Sequence, residues 1–366
     1  MAGRGDPPEG TPEGLPGGND DEYRSVVFDE SFVRAARLQE FSAQERMGDH
    51  ARAVRSRPGW GLRNGPRHFL VLVLLIAMAF GAALYMGVRH PYRPPEGQPV
   101  QALRSTVVPL APEGTVAGGD PAGLYARSPA ADFRTGAAGV TLPAVRHTRN
   151  FSDDQVMTAL TVAKDYLVKS SVDPAVLGQG AVRPVRVLLD PDQLDQFDRS
   201  MNEPEDDGRH AATGWLVRFD PDRVALATPE VRVRGSLAFA EAGPDALEVT
   251  TDHTFAYTVR PAGAGGGATA SPDGRTAGGA SLFTVRRQLH FRFDRDDLRA
   301  HRAELLFSYT QAGPMSCSAD AAAVMQPLLA GQRATGKGPA GTDPYQSGRA
   351  AAAVCGTLSS GGQPPR

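Results

Sequence analysis

The sequence predicts a single transmembrane helix plus an extracytoplasmic α+β domain in which a helix packs on a curved antiparallel sheet. Three features lead there: one long apolar run without charge, an uneven spread of arginine around it, and four period-two segments that follow a well-capped helix. The run is "FLVLVLLIAMAFGAALYMGV", residues 69 to 88. At about 1.5 Å per residue, a helix of this length spans roughly the 30 Å of bilayer hydrocarbon. It starts too far along the chain for a cleaved signal peptide, so it reads as an uncleaved anchor in the lipid bilayer.

Arg52, Arg55, Arg57, Arg63 and Arg67 precede the run with no acid among them, whereas the fifteen residues after it offer only Arg89 and Arg93. The positive-inside rule then predicts a cell-membrane protein with its N-terminus cytoplasmic and its C-terminal domain extracytoplasmic. Residues 1 to 20, rich in Pro, Gly and acids, read as a disordered tail. Residues 21 to 68 read as a docking-like and basic juxtamembrane segment. Within it "YRSVVFDESFVRAARLQEF" offers Tyr23, Val27, Phe28, Phe32, Val33, Leu38 and Phe41 as apolar contacts. They do not fall on one stripe, which disfavours a surface-lying amphipathic helix and suits a peptide that folds on a cytoplasmic partner; an inert spacer is the alternative.

Residues 89 to 138 read as a Pro/Gly linker, 139 to 320 as the α+β domain, and 321 to 366 as an Ala/Gly-rich tail. The domain opens at "RNFSDDQVMTALTVAKDYLVKSS". Ser152 and Gln155 form a capping-box pattern, and Val156, Leu160, Ala163 and Leu167 share one face. "VRVRGSLAF", "LEVTTDHTFAYTV", "VRRQLHFRF" and "LLFSY" then alternate apolar and polar residues, for example Val285, Leu289, Phe291 and Phe293 against Arg286, Gln288, His290 and Arg292. "VRVLL" (185 to 189) and "GWLVRF" (214 to 219) read as added edge strands, and 261 to 280 as a long loop. In element order alone, a helix followed by a meander resembles cystatin-like and NTF2-like folds.

The chemistry-bearing residues form no recognisable catalytic or metal-ligating set, and no cofactor is expected. "GQRATGKG" lacks the Ser or Thr that should follow Lys337 in a phosphate-binding loop, and no G-x-S-x-G, H-E-x-x-H or paired C-x-x-C occurs. Asp190 and Asp192 are the acids that an uncharacterised wall-active enzyme would use. Of the histidines, His253 falls on the inward side of a strand; with Tyr166 and Tyr257 it marks a candidate pocket for a small ligand or glycan. A net charge of −2 and the lack of a dense basic face exclude nucleic acid as a partner. Cys317 and Cys355, the two cysteines, lie on the side predicted to be oxidising and are expected to form a disulfide.

The segments "DDEYRSVVFDESFVRAARLQEFSAQERM", "ARAVRSRPGWGLRNGPRH" and "LLFSYTQAGPMSCSAD" together resemble a conserved family of streptomycete single-pass membrane proteins associated with spore-wall synthesis. The resemblance implies a non-enzymatic adaptor or scaffold of envelope machinery. Its implied partners are cytoplasmic cytoskeletal or envelope-synthesis proteins and, outside, cell-wall polymer. The alternative is an extracytoplasmic ligand- or glycan-binding module.

Overall fold

The computed structural model describes residues 71–80, 100–263, 269–270, 276–277, 279–335, 341–346 and 354–364. The chain divides into two compact units, Met1–Pro91 and Tyr92–Arg366. In the first, residues 71–80 are helical, with every side chain exposed. Ten helical residues extend about 15 Å, half of a bilayer's hydrocarbon thickness. Among the described residues no helix is long and apolar enough to cross a membrane. This corrects the expected transmembrane helix over 69–88: the described helix is too short, and 69, 70 and 81–88 lie outside the described residues, as do the docking residues Tyr23 to Phe41.

The second unit begins with strand β1 (Arg104–Pro112), helix α1 (Pro121–Ala126) and strand β2 (Arg134–Thr135). Helices α2 (Asp153–Ser171), α3 (Pro174–Gln179), α4 (Arg183–Arg186), α5 (Leu194–Asn202) and α6 (Ala212–Trp215) follow. Next come β3 (Val224–Leu226), β4 (Arg232–Glu241), β5 (Leu247–Pro261), the two-residue strands β6 (Thr269–Ala270) and β7 (Thr276–Ala277), and β8 (Ser281–Phe293). Helix α7 (Arg295–Ala300), β9 (Glu304–Gly313), β10 (Gly341–Thr342) and β11 (Gly356–Leu358) complete it.

Local chemistry sets the helix ends. Ser152 and Gln155 close a capping box on α2, with Asp153 and Asp154 in the first turn and Lys169 in the last, where each suits the helix dipole. Asp173 caps α3, Pro174 occupies its first turn, and Gly180 ends it at φ 72°. Asp294 and Asp297 form a second capping box on α7.

The sheet corrects the expected fold. It is a mixed nine-stranded sheet in the order β10-β11-β1-β9-β8-β5-β4-β2, with β3 also paired to β5. Strands β4, β5, β8 and β9 are antiparallel neighbours. β1, however, runs parallel to both β9 and β11, and β10 runs parallel to β11. A curved antiparallel meander of cystatin-like or NTF2-like order has no place for that parallel half. Its source is "RSTVVPLAP", within the stretch read as linker: Thr106, Val107 and Val108 favour a strand, while Pro109 and Pro112 disguise it. The two proposed edge strands also differ. Pro184 sits in the first turn of the short helix α4, which takes up Val185 and Arg186 of "VRVLL", and of the rest Leu189 makes a bridge, to Ala303. Gly214 and Trp215 end α6, leaving Phe219 bridged to Met325.

Odd-numbered side chains of β5 and β8 face α2 and the shorter helices. There Tyr166, Phe197, Trp215, Phe255, Phe283 and Phe291 are fully buried, with edge-on pairs such as Tyr166–Phe291 at 5.2 Å and Phe197–Trp215 at 5.4 Å. On the other face a smaller cluster, Tyr125, Ala130, Phe133, Ala256, Leu282 and Tyr345, brings α1 and the residues after it together with the C-terminal segment 341–346. Cys317 and Cys355 form a disulfide with Cα atoms 5.5 Å apart, fastening the start of β11 to the chain beyond β9.

Candidate functional site

The candidate pocket residues Tyr166, His253 and Tyr257 come together in the packed layer between α2 and the sheet, and all three are fully buried. At their centre is Arg287, directly opposite His253 on one neighbouring strand and Thr310 on the other, and itself fully buried. One terminal guanidinium nitrogen donates to Ser170 Oγ and Ser171 Oγ at 2.9 Å, the other to the carbonyls of Gly214 and Trp215 at 2.9 Å. The cation thus sits at the C-terminal ends of α2 and α6, where helix dipoles favour positive charge. Among the described residues no carboxylate pairs with it, and burial lowers its pKa. Tyr166 donates to Trp215 O at 2.8 Å and Tyr257 to Ser171 O at 2.7 Å, and burial raises the pKa of both hydroxyls. Burial pushes His253 down to about 4, against a weaker upward pull from Asp252, so its ring is neutral at pH 7. Gly235 makes room for that ring: a Cβ there would lie 2.4 Å from His253 Cγ. These side chains hold helices to sheet and line no opening found among the described residues.

The opposite face of the same strands presents a different arrangement. The register places Arg234, Thr254 and Arg286 side by side across β4, β5 and β8, with Ser236, Asp252 and Gln288 as the adjacent row. Six polar side chains therefore form a two-by-three grid on rigid sheet. A cleft of about 230 Å³ opens over it, lined by Arg234, Ser236, Asp252, Thr254, Arg286 and Tyr345.

Most of the grid is fixed internally. Arg286 grips Asp252 with two hydrogen bonds of 2.8 and 2.6 Å, and Gln288 Nε2 donates to Asp252 at 3.1 Å. Thr254 Oγ1 donates to Pro344 O at 2.9 Å. The wall of the cleft is Tyr345, edge-on to Phe133 at 5.9 Å, with its hydroxyl 2.8 Å from Thr284 Oγ1 and its pKa pushed up to about 12 by burial. Arg234 Cζ lies 4.4 Å from the Phe133 ring centroid. Both Arg234 and Ser236 are exposed.

Other groupings suit ligand chemistry less well. A larger hollow of about 340 Å³ is lined by Pro174, Phe219, Pro221, Leu226 and Pro229 among others, and no charged side chain among the described residues lines it. Glu205, Asp207 and His210 offer ligand atoms within 4.8 Å of one another. Asp207, however, is occupied by the His210 ring at 2.5 Å and by the amides of Arg209 and His210, which together hold it at about 2. Asp190 accepts from the Asp192 amide at 2.7 Å, as a turn cap, and lies beside Asp297. Burial, then the neighbouring acids Asp294 and Asp190, push Asp297 up to about 8.

Arg287 had a signal in the sequence: it is a charge falling on the apolar phase of "VRRQLHFRF". The cleft had none, because any solvent-facing row alternates polar residues. No family model matches the chain, and comparisons with curated proteins and with solved structures returned no match.

Proposed function

We propose that the protein is a non-enzymatic, extracytoplasmic binding module of the cell envelope, and that the cleft over β4, β5 and β8 holds one unit of a wall saccharide. The observation that carries this reading is the polar grid. Arg286, Asp252 and Gln288 are locked together before any ligand arrives, so binding orders few side chains and loses little entropy. Sugars suit such a site, since they present planar arrays of hydroxyls that rigid, spaced polar groups can match. The volume lies below the roughly 300–1,000 Å³ usual for drug-sized ligands, which favours a single sugar unit of a longer chain. The Cys317–Cys355 disulfide supports the compartment, because such bonds persist where the surroundings are oxidising.

The test is co-sedimentation of the protein with insoluble wall sacculi. Ser236→Trp adds an indole at an exposed position and fills the cleft without touching the core. The expected result is retention of the parent and loss of retention in the variant. Equal retention of both would refute the reading.

A further inference from the structure

We infer that the cleft selects a saccharide bearing a carboxylate, and that Arg234 makes the selection. This inference rests on the reading of the cleft as a sugar site and specifies its ligand. Among the described residues three charged side chains line the cleft: Arg234, Arg286 and Asp252. The bidentate contact between Arg286 and Asp252 cancels two of them, at 2.8 and 2.6 Å. The charge left over belongs to Arg234.

The other polar groups are also committed. Thr254 gives its hydroxyl proton to Pro344 O, Gln288 its amide to Asp252, and Tyr345 pairs with Thr284. Among the described residues, Arg234 and Ser236 remain to meet a ligand. They are two residues apart on one strand, so their side chains leave the same face about 7 Å from each other. A guanidinium and a hydroxyl at that spacing are chiefly donors. The complementary ligand is rich in acceptors: a carboxylate that takes two parallel N–H bonds, with an ether or ring oxygen nearby. The Phe133 ring beside Arg234 Cζ supports the guanidinium on its apolar side, limiting the freedom it loses on binding.

The experiment is a calorimetric titration of the full chain with three probes. N-acetylmuramate and N-acetylglucosamine differ by a lactyl ether that carries a carboxylate, and lactate supplies the anion without the sugar. The inference expects the acidic sugar to bind about tenfold more tightly than the neutral one or better, the effect of one charge-assisted contact. In Arg234→Gln that ratio should fall to about one. Because Arg234 is exposed, an unaltered unfolding midpoint in the variant will confirm that its fold is intact. Equal affinity for the two sugars in the parent, or a preference that survives in Arg234→Gln, would overturn the inference and leave the sugar site standing. Lactate binding as tightly as N-acetylmuramate would overturn it in favour of a bare anion site. Failure of both sugars to bind would remove the saccharide reading and this inference with it.

Discussion

Replacing Arg287 with methionine tests whether a buried cation without a carboxylate partner stabilises this fold. The substitution removes four hydrogen bonds of 2.9 Å while keeping most of the side-chain volume. Its partners do not suffer equally. Ser170 and Ser171 lie 3.3 Å apart and can bond each other, and Trp215 O keeps the Tyr166 hydroxyl. Gly214 O is left without a donor. Charge-assisted bonds contribute roughly 1.5–3 kcal/mol each, so four sum to about 6–12 kcal/mol, and burying the cation costs several kcal/mol in return. At the lower end of that range the bonds outweigh the burial cost by about 3 kcal/mol. In a domain of this size such a loss lowers the melting temperature by about 6–12 °C. Urea unfolding followed through the fluorescence of buried Trp215 reads the difference directly. If Arg287→Met proves as stable as the parent, the arginine's bonds no more than balance its desolvation, and the reasoning fails.

Two further perturbations probe the domain's acids and the packing beneath the cleft. Asp297 has a folded pKa of about 8, above its unfolded value, so its contribution to stability is fully present below about pH 4 and is lost as pH rises through 8. His253, held near 4, works in the opposite direction below about pH 6.5 and is neutral above it. Denaturation midpoints at pH 6.5 and 8.5 therefore isolate the acid: the parent should weaken over that interval and Asp297→Asn should not, whereas a parent that strengthens would contradict the assignment. Gly235→Ala would place a Cβ 2.3 Å from Asp252 O and 2.4 Å from His253 Cγ, forcing β4 away from β5. A loss of several kcal/mol by the same urea assay is expected, and a change below about 0.5 kcal/mol would show that the strands part without cost.

What the sequence revealed was local. The Ser152–Gln155 capping box and the alternation in β4, β5, β8 and β9 are patterns that neighbouring residues express by themselves. The parallel half of the sheet is not local. Arg104 pairs with Phe307 and Leu110 with Gly356, and nothing in "RSTVVPLAP" announces partners so distant. Arg287 was legible as an exception to alternation, yet its partners lie at the ends of two helices that only tertiary structure brings near. The cleft depends on which even-numbered rows the C-terminal segment leaves uncovered, and Tyr345 reaches it from a stretch that reads as featureless tail.

The central position of β1 also decides how the unit answers to force. β1 enters the sheet early in the unit and its parallel neighbours close it, so tension between the two ends pulls β1 and its partners in opposite senses along their length. The rungs of such a ladder resist together, whereas an antiparallel hairpin pulled from its open end parts one rung at a time. The disulfide adds to this: Cys355 lies just ahead of β11, so once the three register pairs joining β1 to β11 give way, tension passes to Cys317, just beyond β9, and falls on the six joining β1 to β9. A unit loaded at its two ends would hold its shape under that strain.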